Sequence, residues 1–135
     1  MLLSEIVDGV MDSPPVGLML DRTFIERSLK KAVRFYCGWQ KLAAENVAAD
    51  MIHDPITADN GIGAGQDFDL TPSEYAIIRP LFDLYVEHEN AMMLEASRGM
   101  GVDVFGRTVD VIQQDINQRE LEMQKLAFME PVETI

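Results

Sequence analysis

The sequence predicts an all-α fold: a small helical bundle with a long Gly-rich loop and an extended C-terminal tail. Three observations predict it. Several long stretches place apolar residues at helical spacing. Two of them open with capping-box pairs, Thr23 with Glu26 and Thr71 with Glu74. Glycine and proline clusters fall between these stretches; within them stand only single residues, Gly9, Gly38, Pro72 and Pro80.

Residues 2–11 carry Leu2, Leu3, Ile6, Val7 and Val10 at helical spacing, a short amphipathic helix that Ser13-Pro14-Pro15 ends. The second helix is expected over 22–49, capped by Asp21 or Thr23. Phe24, Ile25, Leu29, Ala32, Val33, Phe35, Tyr36, Trp39 and Leu42 take one half of its wheel, and Arg27, Lys30, Lys31, Arg34 and Lys41 crowd the other. The longest helix runs from Thr71 to Arg98. Pro72 stands at its first helical position, where a missing N–H costs nothing. Tyr75, Ile78, Leu81, Phe82, Tyr85, Val86, Met92, Met93 and Ala96 form its apolar face, widened by Ile77 and Leu84, so it should have more than one packing partner. Pro80 should kink it near Ala76, and Gly99 and Gly101 stop it. A last helix is expected over 108–126, with a narrow stripe of Val109, Ile112, Ile116, Met123 and Leu126 that Arg119 and Glu120 interrupt. Beyond it Phe128, Met129, Val132 and Ile135 make an apolar tail that Pro131 keeps extended. That tail is either frayed or docked on a partner.

The chain has 135 residues, read as one domain and long enough for a core. Its hydrophobic fraction of 47% is ordinary, but its net charge of −12 is not. Such an acidic chain is a poor candidate for wrapping nucleic acid or lying on an anionic membrane. Cys37 alone cannot form an internal disulfide and fits a reducing compartment. The opening MLLSEIVDGV has no basic leader, and Glu5 and Asp8 break its apolar run. It reads as neither signal peptide nor membrane span. The nine methionines read as packing filler.

Charge is segregated. Six of the eleven basic residues lie between Arg22 and Lys41, against one acid, Glu26. The stripe on the second helix is a solvated face, an interface for an acidic surface, or a nucleic-acid or lipid site. The bulk charge weighs against the last. Residues 50–70 hold Asp59-Asn60-Gly61 and three glycines within five residues, a loop that either protrudes as a contact or is disordered. The run Gly61-Ile62-Gly63-Ala64-Gly65 is no phosphate cradle, because no strand precedes it and Asp67 and Asp69 would repel phosphate.

Catalytic patterns are missing from the sequence. Asp50-x-x-His53 is one carboxylate–histidine pair where a di-metal bundle needs two such motifs and two more carboxylates. His88 stands between Glu87 and Glu89, which point away from it on a helix. Cys37 has no histidine near it in sequence and reads as a structural thiol. No metal or cofactor site and no enzymatic activity are expected. Glu89 falls inside the apolar arc of the long helix. A buried carboxylate there needs a partner, and Arg119, which interrupts the last helix, is the expected one.

Leu29-Lys30-Lys31-Ala32-Val33-Arg34-Phe35-Tyr36 resembles the early helix of small head–tail connector (adaptor, or head-completion) proteins of tailed bacteriophages. So do Leu70-Thr71-Pro72-Ser73-Glu74-Tyr75, Ile78-Arg79-Pro80-Leu81-Phe82, Leu84-Tyr85-Val86-Glu87, Glu89-Asn90-Ala91, Leu94-Glu95-Ala96-Ser97-Arg98 and Phe105-Gly106-Arg107. The similarity covers roughly residues 22–50 and 70–135. Many such connectors carry a β-hairpin where this chain has its Gly-rich loop. The resemblance implies a helical bundle in a homo-oligomeric ring of roughly a dozen subunits. It also implies docking between the portal protein and a downstream tail or neck protein, a channel through which DNA passes without specific binding, and no membrane. The protein would be made in the host cytoplasm and end in the virion neck. The interface residues expected, read from the basic stripe and the unplaced apolar tail, are Arg27, Lys30, Lys31, Arg34 and Lys41 with Phe128, Met129, Val132 and Ile135. A second reading is an acidic helical binding module or regulator that engages a basic protein as monomer or dimer.

Overall fold

A computed structural model describes residues 1–14, 18, 20–43, 51–52, 66–97 and 108–129, with backbone only at 97 and 126–129. It contains four helices: α1 (Leu3–Asp12), α2 (Arg22–Cys37), α3 (Pro72–Ser97) and α4 (Val109–Met129). No strand occurs among the described residues. The architecture is all-α. α3 is the central helix, packed on α2 along one side and α4 along another, and α1 packs on α2.

The start of α3 follows its sequence. Thr71 Oγ1 accepts from the Glu74 N–H at 3.2 Å, and Glu74 Oε1 accepts from the Thr71 N–H at 2.9 Å. This is the reciprocal capping box. Glu74 also reaches beyond the box, since its Oε2 accepts from the Ala43 N–H at 2.9 Å. One buried carboxylate therefore satisfies two backbone donors and ties the chain leaving α2 to the start of α3. α3 continues unbroken through Pro80.

α2 is capped by Asp21, whose carboxylate accepts from the Phe24 N–H at 3.2 Å. Of the two expected caps Asp21 is the one used. Glu26 pairs with Arg22 at 3.1 Å instead of closing a box with Thr23. α2 stops at Cys37, not at 49. The Gly38 N–H bonds back to Arg34 and Phe35, and Trp39 and Gln40 both donate to the Tyr36 carbonyl. This tight turn brings Leu42 into the core and presents the Ala43 N–H to Glu74. Residues 44–50 lie outside the described part.

The chain before α3 departs from expectation. Phe68 and Leu70 are buried, as are Ile52 and Gln66. The stretch 66–70 is thus no part of an outer loop; residues 53–65 lie outside the described part. It runs antiparallel to the start of the chain: the Leu3 N–H donates to Phe68 O at 3.0 Å and the Leu70 N–H to Met1 O at 2.8 Å, with a β-bridge between Leu2 and Asp69. Asp67 then takes Ser4, accepting from its N–H at 2.9 Å and its hydroxyl at 2.7 Å. A carboxylate at a helix N-terminus meets both unsatisfied N–H groups and the positive end of the dipole. Asp67 caps α1 from sixty-three residues away. α4 is capped twice in the same manner, by Thr108 Oγ1 on the Val111 N–H and by Glu95 Oε1 on the Val109 N–H at 3.3 Å.

One hydrophobic core joins all four helices. α1 supplies Leu3, Ile6 and Val7; α2 supplies Ile25, Leu29, Ala32, Val33 and Tyr36; α4 supplies Ile112, Ile116 and Met123. α3 is less regular. Its first half buries Ile78, Leu81, Phe82, Tyr85 and Val86 as expected, but its second half buries Ala91 and Leu94. Met92 and Met93 are 46% and 37% exposed, and Ala96 is exposed, so the expected face does not persist. At about 100° per residue, Ala91 and Leu94 lie on nearly the opposite side of α3 from Ile78. α2 explains the change. With 16 residues it spans about 24 Å, against about 39 Å for the 26 residues of α3, and cannot cover its whole length.

Glu74→Ala should destabilise the protein by about 2–4 kcal/mol in urea unfolding, because two backbone donors lose a charged acceptor. Glu74→Gln, which keeps one acceptor oxygen, should cost clearly less.

Candidate subunit interface

The basic residues of α2 meet different fates. Lys30 is 0% exposed and engaged, so it is not part of an open stripe. Its wheel position borders Glu26 and Cys37 on the flank of the buried side, and the packing of α2 against several neighbours widens that side beyond the apolar residues. Lys31 keeps an exposed side chain while its Nζ lies 4.4 Å from the centre of the Tyr85 ring. Lys41 is exposed but lies past the helix end, in the connector.

Arg27 and Arg34 remain. Both are half-buried and lie two turns apart on one line of α2, about 10 Å along its axis. Each has a buried Nε without a hydrogen-bond partner among the described residues. Among the described residues neither joins an ion pair, whereas Arg22 holds Asp8 at 2.7 Å, Arg79 holds Asp83 at 3.7 Å and Arg119 holds Glu122 at 3.4 Å. The Arg27 guanidinium lies 5.6 Å from the centre of the Phe24 ring. Phe35 and Trp39 meet edge to face at 6.4 Å close by in sequence, and Trp39 is partly exposed. The free part of the arc is thus narrower than the sequence suggests: two guanidinium groups, one ring-seated lysine and Lys41.

The expected Glu89–Arg119 pair is not among the ion pairs of the described residues. Glu89 is only half-buried, since α3 turns its other side inward at this level, and Arg119 pairs with Glu122 on its own helix. The buried polar link between α3 and α4 is a different one. Tyr85 donates its hydroxyl proton to Glu120 Oε2 at 2.6 Å. With Lys31 on the ring face, one tyrosine joins α2, α3 and α4. A tyrosine at a core position three turns into the helix was legible in sequence; its carboxylate partner was not.

The other side of the α3–α4 contact opens into a groove of about 410 Å³. Pro80, Asp83, Leu84 and Glu87 line it from α3, and Asp115, Gln118, Arg119 and Glu122 from α4. Four carboxylates face one guanidinium. The Asp83 side chain stays mostly exposed, and partial desolvation at the groove wall holds its carboxyl above the usual range, with the nearby Arg79 working the other way. Sequence reading missed this groove because its acids come from two helices and look like ordinary solvated faces on each.

The tail residues divide. Phe128 and Met129 belong to α4, which ends just before Glu130-Pro131; they are not part of an extended arm. Val132 and Ile135 lie outside the described residues, as do Asp50 and His53. His88 is half-buried. Among the described residues no group of three or more His, Cys, Asp or Glu side chains could hold a metal ion, and no helix is long and apolar enough to cross a membrane.

Cys37 is buried, and burial, helped by the charge of Glu74, pushes its thiol up to about 12 against a lesser effect of a Leu42 backbone hydrogen bond. A thiol in that state is no nucleophile at neutral pH. Burial, with the Glu120 hydrogen bond, likewise raises Tyr85. Both groups stay protonated in the folded chain after they would ionise in the unfolded one. Their contribution is complete below the unfolded values and is lost as pH rises through the folded ones. Urea midpoints should therefore fall from about pH 9 upward, and a Cys37→Ala, Tyr85→Phe double variant should show a shallower decline. Tyr85→Phe alone should cost about 1.5–3 kcal/mol at neutral pH, measured in the same unfolding experiment.

No family model, no curated protein and no solved structure matches this chain.

Proposed function

We propose that the chain is a non-enzymatic structural subunit of a virion neck, a head–tail connector that forms a ring beneath the portal protein and surrounds a DNA passage. The observation that carries this reading is the pair Arg27 and Arg34. Two half-buried guanidinium groups stand in line on one helix of a strongly acidic chain with no ion pair of their own among the described residues. Guanidinium groups in that setting suit a carboxylate-bearing neighbour. The resemblance of residues 29–36, 70–98 and 105–107 to phage connectors supports the choice of neighbour. A net charge of −12 also suits a passage that lets DNA slide and does not hold it.

The acidic groove between α3 and α4 favours a second reading. Its four carboxylates would suit a basic peptide, as in a binding module that acts as monomer or dimer.

Light scattering on the purified chain, alone and with a portal protein, separates the two. The connector reading expects a closed species of many 15.2 kDa subunits, or one formed on the portal, whose yield falls with added salt. A monomer or dimer that ignores the portal and binds a Lys/Arg-rich peptide would replace it with the second reading.

A further inference from the structure

The two charged surfaces of this chain lie on opposite sides of α3. Lys31 fixes the α2 side, since its Nζ sits on the Tyr85 ring. At about 100° per residue, the groove residues Pro80, Asp83, Leu84 and Glu87 lie some 150° around α3 from Tyr85 on average. α4 repeats the division. Its buried stripe is Ile112, Ile116 and Met123. Glu120, bonded to Tyr85, lies on one flank of that stripe; Asp115, Gln118, Arg119 and Glu122 lie on the other. The groove therefore opens away from α2, and the arc of one chain cannot reach the groove of the same chain.

We infer that the Arg27–Arg34 arc of one copy docks in the α3–α4 groove of a second copy. The occupant is argued from charge and register. Arg27 and Arg34 are seven residues apart on α2, and Asp115 and Glu122 are seven apart on α4, so both rows repeat at about 10 Å. Asp83 and Glu87 face the α4 row from α3, one turn apart. Two guanidinium heads entering along the groove meet a carboxylate at each step. Asp83 and Glu122 already pair with Arg79 and Arg119 on their own helices, and the four groove carboxylates outnumber those two cations. A groove of about 410 Å³ has room for both heads. The contact joins two different surfaces, so it is heterologous: repetition gives a ring where the rotation closes and a filament where it does not. The inference rests on the proposed self-assembly and names the surfaces that carry it.

A charge swap tests it. One variant carries Arg27→Glu and Arg34→Glu; a second carries Asp83→Lys and Glu122→Lys. Lys30 is left alone because it is buried. Each variant has two surfaces of like sign and should be monomeric by light scattering, with self-association weakened by at least about tenfold. Mixed in equal amounts, they should reassemble in alternation, because each junction again joins opposite charges. Circular dichroism checks that both retain wild-type helicity. The milder Arg27→Gln, Arg34→Gln and Asp83→Asn, Glu122→Gln pairs keep the test decisive if a reversal unfolds: each neutral pair should weaken association in proportion to charge removed. Assembly of either reversed variant at wild-type strength, or a folded mixture that stays monomeric, overturns the inference while leaving a ring built on other surfaces possible. A wild-type chain that is monomeric alone also overturns it, and assembly on the portal then decides the connector reading separately.

Discussion

The bundle depends first on the carboxylate of Glu74. It is buried, yet both oxygens are used, one by the Thr71 N–H and one by the Ala43 N–H. A buried charge is tolerable only when its acceptor capacity is filled. Here the donors come from the two ends that must meet: the start of α3 and the chain returning from α2. That one tether places the end of α2 at the beginning of α3, and Lys31 meets Tyr85 farther along. The two helices must then run antiparallel. Cys37, buried beside the same carboxylate, is kept as a neutral thiol by the same arrangement.

From there the packing is set by unequal lengths. α2 covers the first half of α3 and leaves the rest, so the face that begins at Ile78 ends as the exposed Met92 and Met93. α3 responds by burying Ala91 and Leu94 on the other side. The change of side also disposes of Glu89. On a wheel drawn with one continuous face it is a stranded buried acid; on a helix that changes sides it needs no ion pair. The polar requirement moves to Tyr85, whose hydroxyl lies at the α3–α4 contact and finds Glu120.

Local rules were legible where the partners are close in sequence. The Thr71–Glu74 box, Asp21 as one of two offered caps, Ile25, Leu29, Ala32, Val33 and Tyr36 of α2, and Ile112, Ile116 and Met123 of α4 could be read from spacing; Trp39, expected on the apolar half, is exposed. What was not legible was long-range. Leu42 continues the helical spacing of α2, which outweighs the single Gly38 on a wheel. The stop at Cys37 uses Gly38 as the C-cap, and the Ala43 N–H beyond it finds its acceptor only in the distant Glu74. Phe68 and Leu70 alternate with Asp67 and Asp69, a period-two signal that the glycines before it obscure. Its meaning needs the start of the chain, since Asp67 caps α1 and Phe68 pairs with Leu3. The basic arc was legible as chemistry but not as surface: Lys30 stands at the edge of the arc, and how far the buried side of α2 reaches toward it depends on neighbours that the wheel does not contain.

Those two arginines give the charge pattern its sense. Copies with a net charge of −12 repel one another at long range, and at physiological salt that repulsion fades over about 8 Å. In the proposed contact, attraction between arc and groove would act over the same short distance. There it would set encounter rate and orientation more than affinity, favouring one relative rotation and penalising others in which acid meets acid. Salt bridges at a wet surface add at most about 1 kcal/mol each, so no single pair would hold an assembly together. A repeated contact would, because every subunit in a closed ring is held on two sides and leaves only by breaking both. In the proposed contact, a narrow basic arc on one side of the central helix would meet an acidic groove on the other side of the next copy's, an association weak at each junction, specific in rotation and cumulative on closure.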